Sequence, residues 1–106
     1  MLVISNYKKD DVITIKLSTG EELVARFNAD TGGELKIVKP TVLTLNPQTG
    51  GVMLIPWLMS IDAHSSDPVV IGKNQIVAVS RPVKRLADSY LESTTGLAKA
   101  DASLIL

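Results

Sequence analysis

Residues 12–27, VITIKLSTGEELVARF, constrain the fold more than any other stretch of the chain. Ile13, Ile15 and Leu17 alternate with Thr14 and Lys16; after a break, Leu23, Ala25 and Phe27 alternate with Val24 and Arg26. Successive side chains of a strand point to opposite faces. A period of two therefore gives each segment one apolar face and argues for a pair of strands. Ser18-Thr19-Gly20 supplies the reversal, because glycine enters the left-handed backbone region that a short bulged hairpin loop needs and a residue with a Cβ is strained there. The rest of the chain reads most simply as strands added to this hairpin.

With 106 residues the chain has room for one domain and not two. Hydrophobic residues make up 45% of it and aromatics only 4%. The core must be built from Val, Ile, Leu and Met, and the β-branched members of that set suit pleated, half-buried surfaces. Residues 28–33 (NADTGG) read as a turn, and residues 34–38 as a third strand with Leu35 and Ile37 on one face. Pro40 has no amide hydrogen for a ladder and is expected to interrupt that strand. Val42, Leu43 and Leu45 continue as extended chain into a second turn at residues 46–51.

Residues 52–63, VMLIPWLMSIDA, are the most apolar part and read as an edge strand bent near Pro56. Trp57 within it is expected to anchor a core or an interface, with an acceptor for its indole N–H. Residues 69–71 (VVI) and 76–79 (IVAV) are apolar on both faces and flank a tight turn at Gly72-Lys73-Asn74. Strands of that kind want neighbours on each side. At the edge of a small sheet they offer unpaired backbone to another chain.

Ser80-Arg81-Pro82 predicts the start of a helix, since proline is well placed in a first turn. Val83, Leu86, Ala87, Tyr90 and Leu91 then fall at i, i+3, i+4, i+7 and i+8 as one apolar stripe, and Gly96 is the stop signal. The expected organisation is a single domain over residues 1–106, with a β core at 12–80, a helix at 81–95 and a tail at 97–106. The fold class is mainly β, a curled barrel or a sandwich with a C-terminal helix.

Several function classes are set aside by composition. Eleven basic and eleven acidic side chains give a net charge of +0, which argues against a strongly electrostatic nucleic-acid binder acting as a lone monomer. No cysteine means no disulfide, thiolate zinc site or cysteine nucleophile. His64 is the only histidine, and Asp62, Ser65, Ser66 and Asp67 beside it superficially suggest a triad or a metal site. Neighbours in one loop do not converge as a triad with an oxyanion hole must, and one histidine with two carboxylates makes a poor metal cage. No enzyme activity, metal or cofactor is expected. The opening MLVIS lacks a preceding basic residue and is too short for a signal-peptide core, and no run approaches the roughly 18 apolar residues needed to span a bilayer. The expectation is a cytoplasmic protein with no membrane partner.

Leu17-Ser18-Thr19-Gly20, the strand with Leu23, Ala25 and Phe27, the loop with Asp30, and the strand with Leu35 and Ile37 resemble the first motif of the Sm/LSm family. Ile71-Gly72-Lys73-Asn74 followed by Ile76 is similar to its second motif. Ala25 stands where the family usually has glycine, Glu34 where it has a base-contacting asparagine, and Ile71 where it has arginine. Residues 28–33 hold no stacking aromatic, and the amphipathic helix follows the strands, whereas the family generally places it before them. The likeness covers residues 12–80 and is nearest to the divergent Sm-like proteins of marine phages; for a phage-encoded protein the cytoplasm is the host's.

The resemblance implies a strongly bent five-stranded antiparallel Sm-like barrel. It also implies a homo-oligomeric ring of about five to seven subunits, made by pairing the fourth strand of one subunit with the fifth of the next. The central surface of such a ring would bind single-stranded RNA, or single-stranded DNA. Asp30, Thr31, Lys73 and Asn74 are then candidate contacts, Lys73 for a phosphate and Asn74 for a base edge. The plainer reading is that Asn28, Asp30 and Asn74 form turns through local bonds. Arg81, Lys84 and Arg85 make a second basic set on the helix, either for a nucleic-acid backbone or as a solvated face. The competing function is a ring-forming structural or assembly protein, phage-type, without nucleic acid.

Overall fold

The computed structural model describes residues 6–62 and 65–95. Six strands and one helix follow in order: β1 (Val12–Leu17), β2 (Glu22–Asp30), β3 (Glu34–Leu45), β4 (Val52–Pro56), β5 (Val69–Gly72), β6 (Ile76–Ser80) and α1 (Lys84–Thr95), with one turn of 3-10 helix at Lys73–Gln75 between β5 and β6. The protein is mainly β, an antiparallel sheet with a C-terminal helix. The expected hairpin is present, with Val12 opposite Arg26, Ile15 opposite Leu23 and Lys16 opposite Glu22. Gly20 closes it at φ 101°, and its N–H donates to the Leu17 carbonyl at 2.9 Å.

The strand order is β4-β3-β2-β1-β6, with β5 also on β3. β3 runs unbroken through Pro40, against the expectation of an interruption there. Lys39 adopts a left-handed φ of 52°, and the strand changes partner around this point. Glu34–Ile37 faces β5, while Thr41–Leu45 faces β4. The missing amide hydrogen of Pro40 falls at this changeover, and its carbonyl accepts from the Trp57 N–H at 3.1 Å. β4 and β5 are therefore laid end to end along one edge of β3. The long apolar strand expected over 52–63 stops at Pro56. The turn expected at 28–33 also contracts, because Asn28, Ala29 and Asp30 belong to β2.

Connectivity forces the sheet to curl. β5 and β6 lie on opposite edges but are joined by three residues. In a flat sheet four inter-strand steps of about 4.8 Å would hold them about 19 Å apart, whereas a 3-10 turn rises only about 2 Å per residue. The two ends of the nine-residue β2 make the same point. Lys73 N–H donates to Gly33 O at 3.0 Å, beyond one end of β2, and Ser18 N–H donates to Gln75 O at 2.8 Å, beyond the other. Register shifts at Val24/Arg26 and Phe27/Ala29 in β2, and at Lys16/Leu17 in β1, supply local bending. Among the described residues no ladder joins β5 to β6, so the sheet is not closed.

The two faces of the sheet are filled differently. The concave face buries Ile13, Ile15, Leu17, Leu23, Ala25, Phe27, Leu35, Ile37, Ile71 and Ile76. On the convex face α1 covers Val24 and Leu54 with Tyr90, flanked by Val12, Leu43, Leu86 and Leu91. The helix starts at Lys84, three residues later than expected, and Val83 at the head of the expected stripe is 68% exposed. The Gly96 stop signal and the 97–106 tail lie outside the described residues, as do His64 and the MLVIS segment. Among the described residues no helix is long and apolar enough to cross a membrane.

Candidate nucleic-acid interface

The curl gathers two loops beside the Lys73–Gln75 turn. From one side comes the β2–β3 turn, where Gly32 sits at φ 98° and its N–H donates to Asp30 Oδ1 at 2.9 Å. This side-chain bond to the backbone two residues on is the turn-forming role weighed for Asp30. From the other side comes the β1–β2 turn, where the Ser18 hydroxyl donates to Gln75 Oε1 at 3.1 Å. Asp30, Thr31, Lys73 and Asn74, named together from the sequence, are thus brought to one place.

Their charges do not stand as the sequence suggested. The Lys73 ammonium forms an ion pair with Asp30 Oδ1, and the Lys73 side chain is only 8% exposed. Lys73, expected as a phosphate contact, is a buried cation already matched by a carboxylate. A charge held this far from water requires such a partner, and this one fastens the β5–β6 turn to the end of β2. Sequence reasoning did not pair them, because 43 positions separate them and nothing local marks either as the other's partner. Thr31 and Asn74 are exposed. The Thr31 hydroxyl bonds its own turn, donating to Glu34 O at 3.3 Å. Asn74 folds back on its turn, with its amide oxygen 2.8 Å from where a Cβ on Gly72 would lie. Any added side chain at Gly72 must displace that amide.

Arg81, Lys84 and Arg85 do not form one basic face. Arg81 lies outside α1, in the connector from β6. Its guanidinium stacks 5.0 Å from the centre of the Tyr7 ring and reaches Asp11 Oδ2 and Asn6 O at 3.3 Å each. The Lys8 N–H, donating to Asp11 Oδ2 at 2.9 Å, holds the Asp11 carboxyl below its usual pKa, with Arg81 adding to the effect. Lys84 pairs with Asp88 at 2.8 Å one turn along the helix, and Arg85 is exposed beside a groove lined by Leu43, Val52, Val83 and Leu86.

Trp57 is half-buried against the concave core, and its indole N–H donates to Glu21 Oε2 at 2.9 Å. With Leu17, Val70 and Gly72 they line a recess of about 320 Å³ next to Gln75. Among the described residues no group of three or more His, Asp or Glu side chains is placed to hold a metal ion. Neither the protein-family models nor the curated proteins compared with this chain give a match.

Proposed function

We propose that this chain is a non-catalytic Sm-like subunit whose curled sheet is a small barrel, that about five to seven copies pair edge to edge into a ring, and that the ring binds single-stranded RNA or DNA in the cytoplasm. One observation carries the reading. Among the described residues β5 pairs only with β3 and β6 only with β1, so both edges keep free backbone, and each carries an exposed β-branched side chain, Val70 at 49% and Val77 at 62%. An edge of this kind is a template for another strand. Taking β4 and β5 as one interrupted edge, β5 of one copy against β6 of the next is the pairing that the family resemblance implies.

Repetition around a ring would place several copies of Thr31 and Asn74 on one surface, giving a neutral chain avidity through many weak contacts. With Lys73 matched by Asp30, those contacts are hydrogen bonds to bases more than charge on phosphate. The same ion pair favours a second reading, a structural ring without nucleic acid, because it leaves the loop cluster without a net positive charge of its own.

Light scattering at tens of micromolar tests the assembly; we expect a closed oligomer, and a monomer rejects it. Val77→Lys is expected to give a folded monomer, because a charge on that edge opposes strand addition. A gel shift with labelled single-stranded oligonucleotides at low and moderate salt then separates the two readings. Retardation that is largely kept as salt rises supports nucleic-acid binding through base contacts, and an intact ring that retards nothing at micromolar concentration favours the structural role.

A further inference from the structure

On the convex face, away from the loop cluster, a pocket of about 270 Å³ lies between the middle of β2, the bend of β3, the segment before β1 and Ser66 of the segment before β5. Three cationic side chains line it, Lys9, Arg26 and Lys39, with Asn28 and a single carboxylate, Asp10. This excess of positive charge occurs in a chain whose overall charge is +0. Three separate segments contribute to it.

Two further observations single the pocket out. Arg26 Nε is buried and has no hydrogen-bond partner among the described residues. A buried donor left unmade is costly and rare, and it points to an acceptor that belongs there. The only non-glycine residues with positive φ among those described are Asp10 (75°) and Lys39 (52°), and both line this pocket. Left-handed backbone is strained for residues with a Cβ and persists where the surrounding structure enforces it, commonly at ligand sites. Here it turns Lys39 toward the convex side, where its ammonium donates to Thr94 O at 2.8 Å. That acceptor is a carbonyl in the last turn of α1, whose partial negative charge offsets the charge of Lys39 only in part.

We infer that this pocket binds a phosphoryl group, either the phosphate ion or a phosphate ester. A tetrahedral dianion offers acceptors to the guanidinium, the ammonium groups and the Asn28 amide at once, and relieves the mutual repulsion of the cations. The site does not depend on the ring, on the Asp30–Lys73 cluster or on nucleic-acid binding.

The test is a titration of the full-length, isotope-labelled protein with inorganic phosphate, followed by backbone amide shifts, with sodium chloride of equal ionic strength as the control. Saturable shifts at Arg26, Asn28 and Lys39, with a midpoint of about a millimolar or below, are expected with phosphate and not with chloride. Lys39→Gly relaxes the left-handed backbone but also removes the ammonium and its bond to Thr94 O, so it should stay folded with a modest change in stability and weaken phosphate about tenfold. Arg26→Gln should weaken it as much, and Lys73→Gln should leave it unchanged. Adenosine monophosphate in place of phosphate separates the sources: tighter binding than the ion identifies an ester ligand, and equal binding identifies the free anion. No saturation by about 50 mM phosphate, or an affinity untouched in folded Lys39→Gly, overturns the site. Light scattering on the same samples reads the assembly separately, so loss of one leaves the other standing.

Discussion

The two faces of this sheet hold together by different means. The concave face is a cluster of ten buried side chains, nine of them aliphatic, drawn from β1, β2, β3, β5 and β6. The convex face buries three, and its centre is an aromatic residue with a polar end. Tyr90 is fully buried, and its hydroxyl lies 2.7 Å from Lys39 O and 3.1 Å from Val38 O, at the bend of β3. The concave side is apolar area enclosed by curvature, redundant and without direction. The convex side is a small contact whose orientation is fixed by hydrogen bonds. Lys39 Nζ on Thr94 O and the Thr94 hydroxyl on Tyr90 O tie the last turn of the helix to the same bend. Area gives most of the stability; the bonded patch fixes where the helix sits.

The largest expected effect lies on the concave side. Leu23→Ala leaves a void between β1, β2 and β3 and should cost about 2–5 kcal/mol in denaturant unfolding. A loss under about 1 kcal/mol would mean that the concave cluster is looser than its burial implies. Next comes the place where the curl is fastened. Asp30→Asn removes the carboxylate from a buried ammonium and should cost about 1–3 kcal/mol. Replacing both Asp30 and Lys73 with neutral residues should cost less than the single change.

Tyr90→Phe keeps the ring and removes the hydroxyl, for a loss of about 1–2 kcal/mol, and it also sharpens the comparison through pH. Burial is the main cause that raises the Tyr90 phenol well above its ordinary value, with the Arg26 charge opposing. A folded-state pKa above the unfolded value of about 10 gives stability that is present below that pH and lost as pH rises past it. The parent should therefore lose stability on the alkaline limb, and Tyr90→Phe should lose less; equal alkaline slopes would place the sensitivity elsewhere. The smallest effect is at the solvated surface of α1, where Lys84→Ala should leave the melting temperature unchanged, since an exposed pair one helical turn apart contributes little.

What the sequence made legible follows from range. The hairpin, the concave residues Leu35 and Ile37, and the stripe Leu86, Tyr90 and Leu91 are written in periods of two and of 3.6 over short stretches. The fate of Pro40 was not, because the left-handed backbone at Lys39 carries no local signal: neither glycine nor asparagine stands there, and the conformation is imposed by partners from β4 and α1. The end of β4 at Pro56, short of the strand expected over 52–63, was not legible either. At the loop cluster the residues were legible and their state was not, because the Asp30–Lys73 pair exists only once the sheet has curled. The convex pocket was not legible at all, since Lys9, Arg26 and Lys39 meet only across three segments.

The ladder between β1 and β6 sets Thr14 against Ser80 and Ile15 against Val79, the start of the fold against nearly its end. During synthesis, then, the first strand leaves the ribosome with one side unmatched and must wait until β6 has been made before that side is covered. Contacts of such long sequence separation are slow to form. The growing polypeptide carries an open strand throughout that interval, and it is in those moments, more than in the finished protein, that mispairing with a neighbouring nascent copy threatens it.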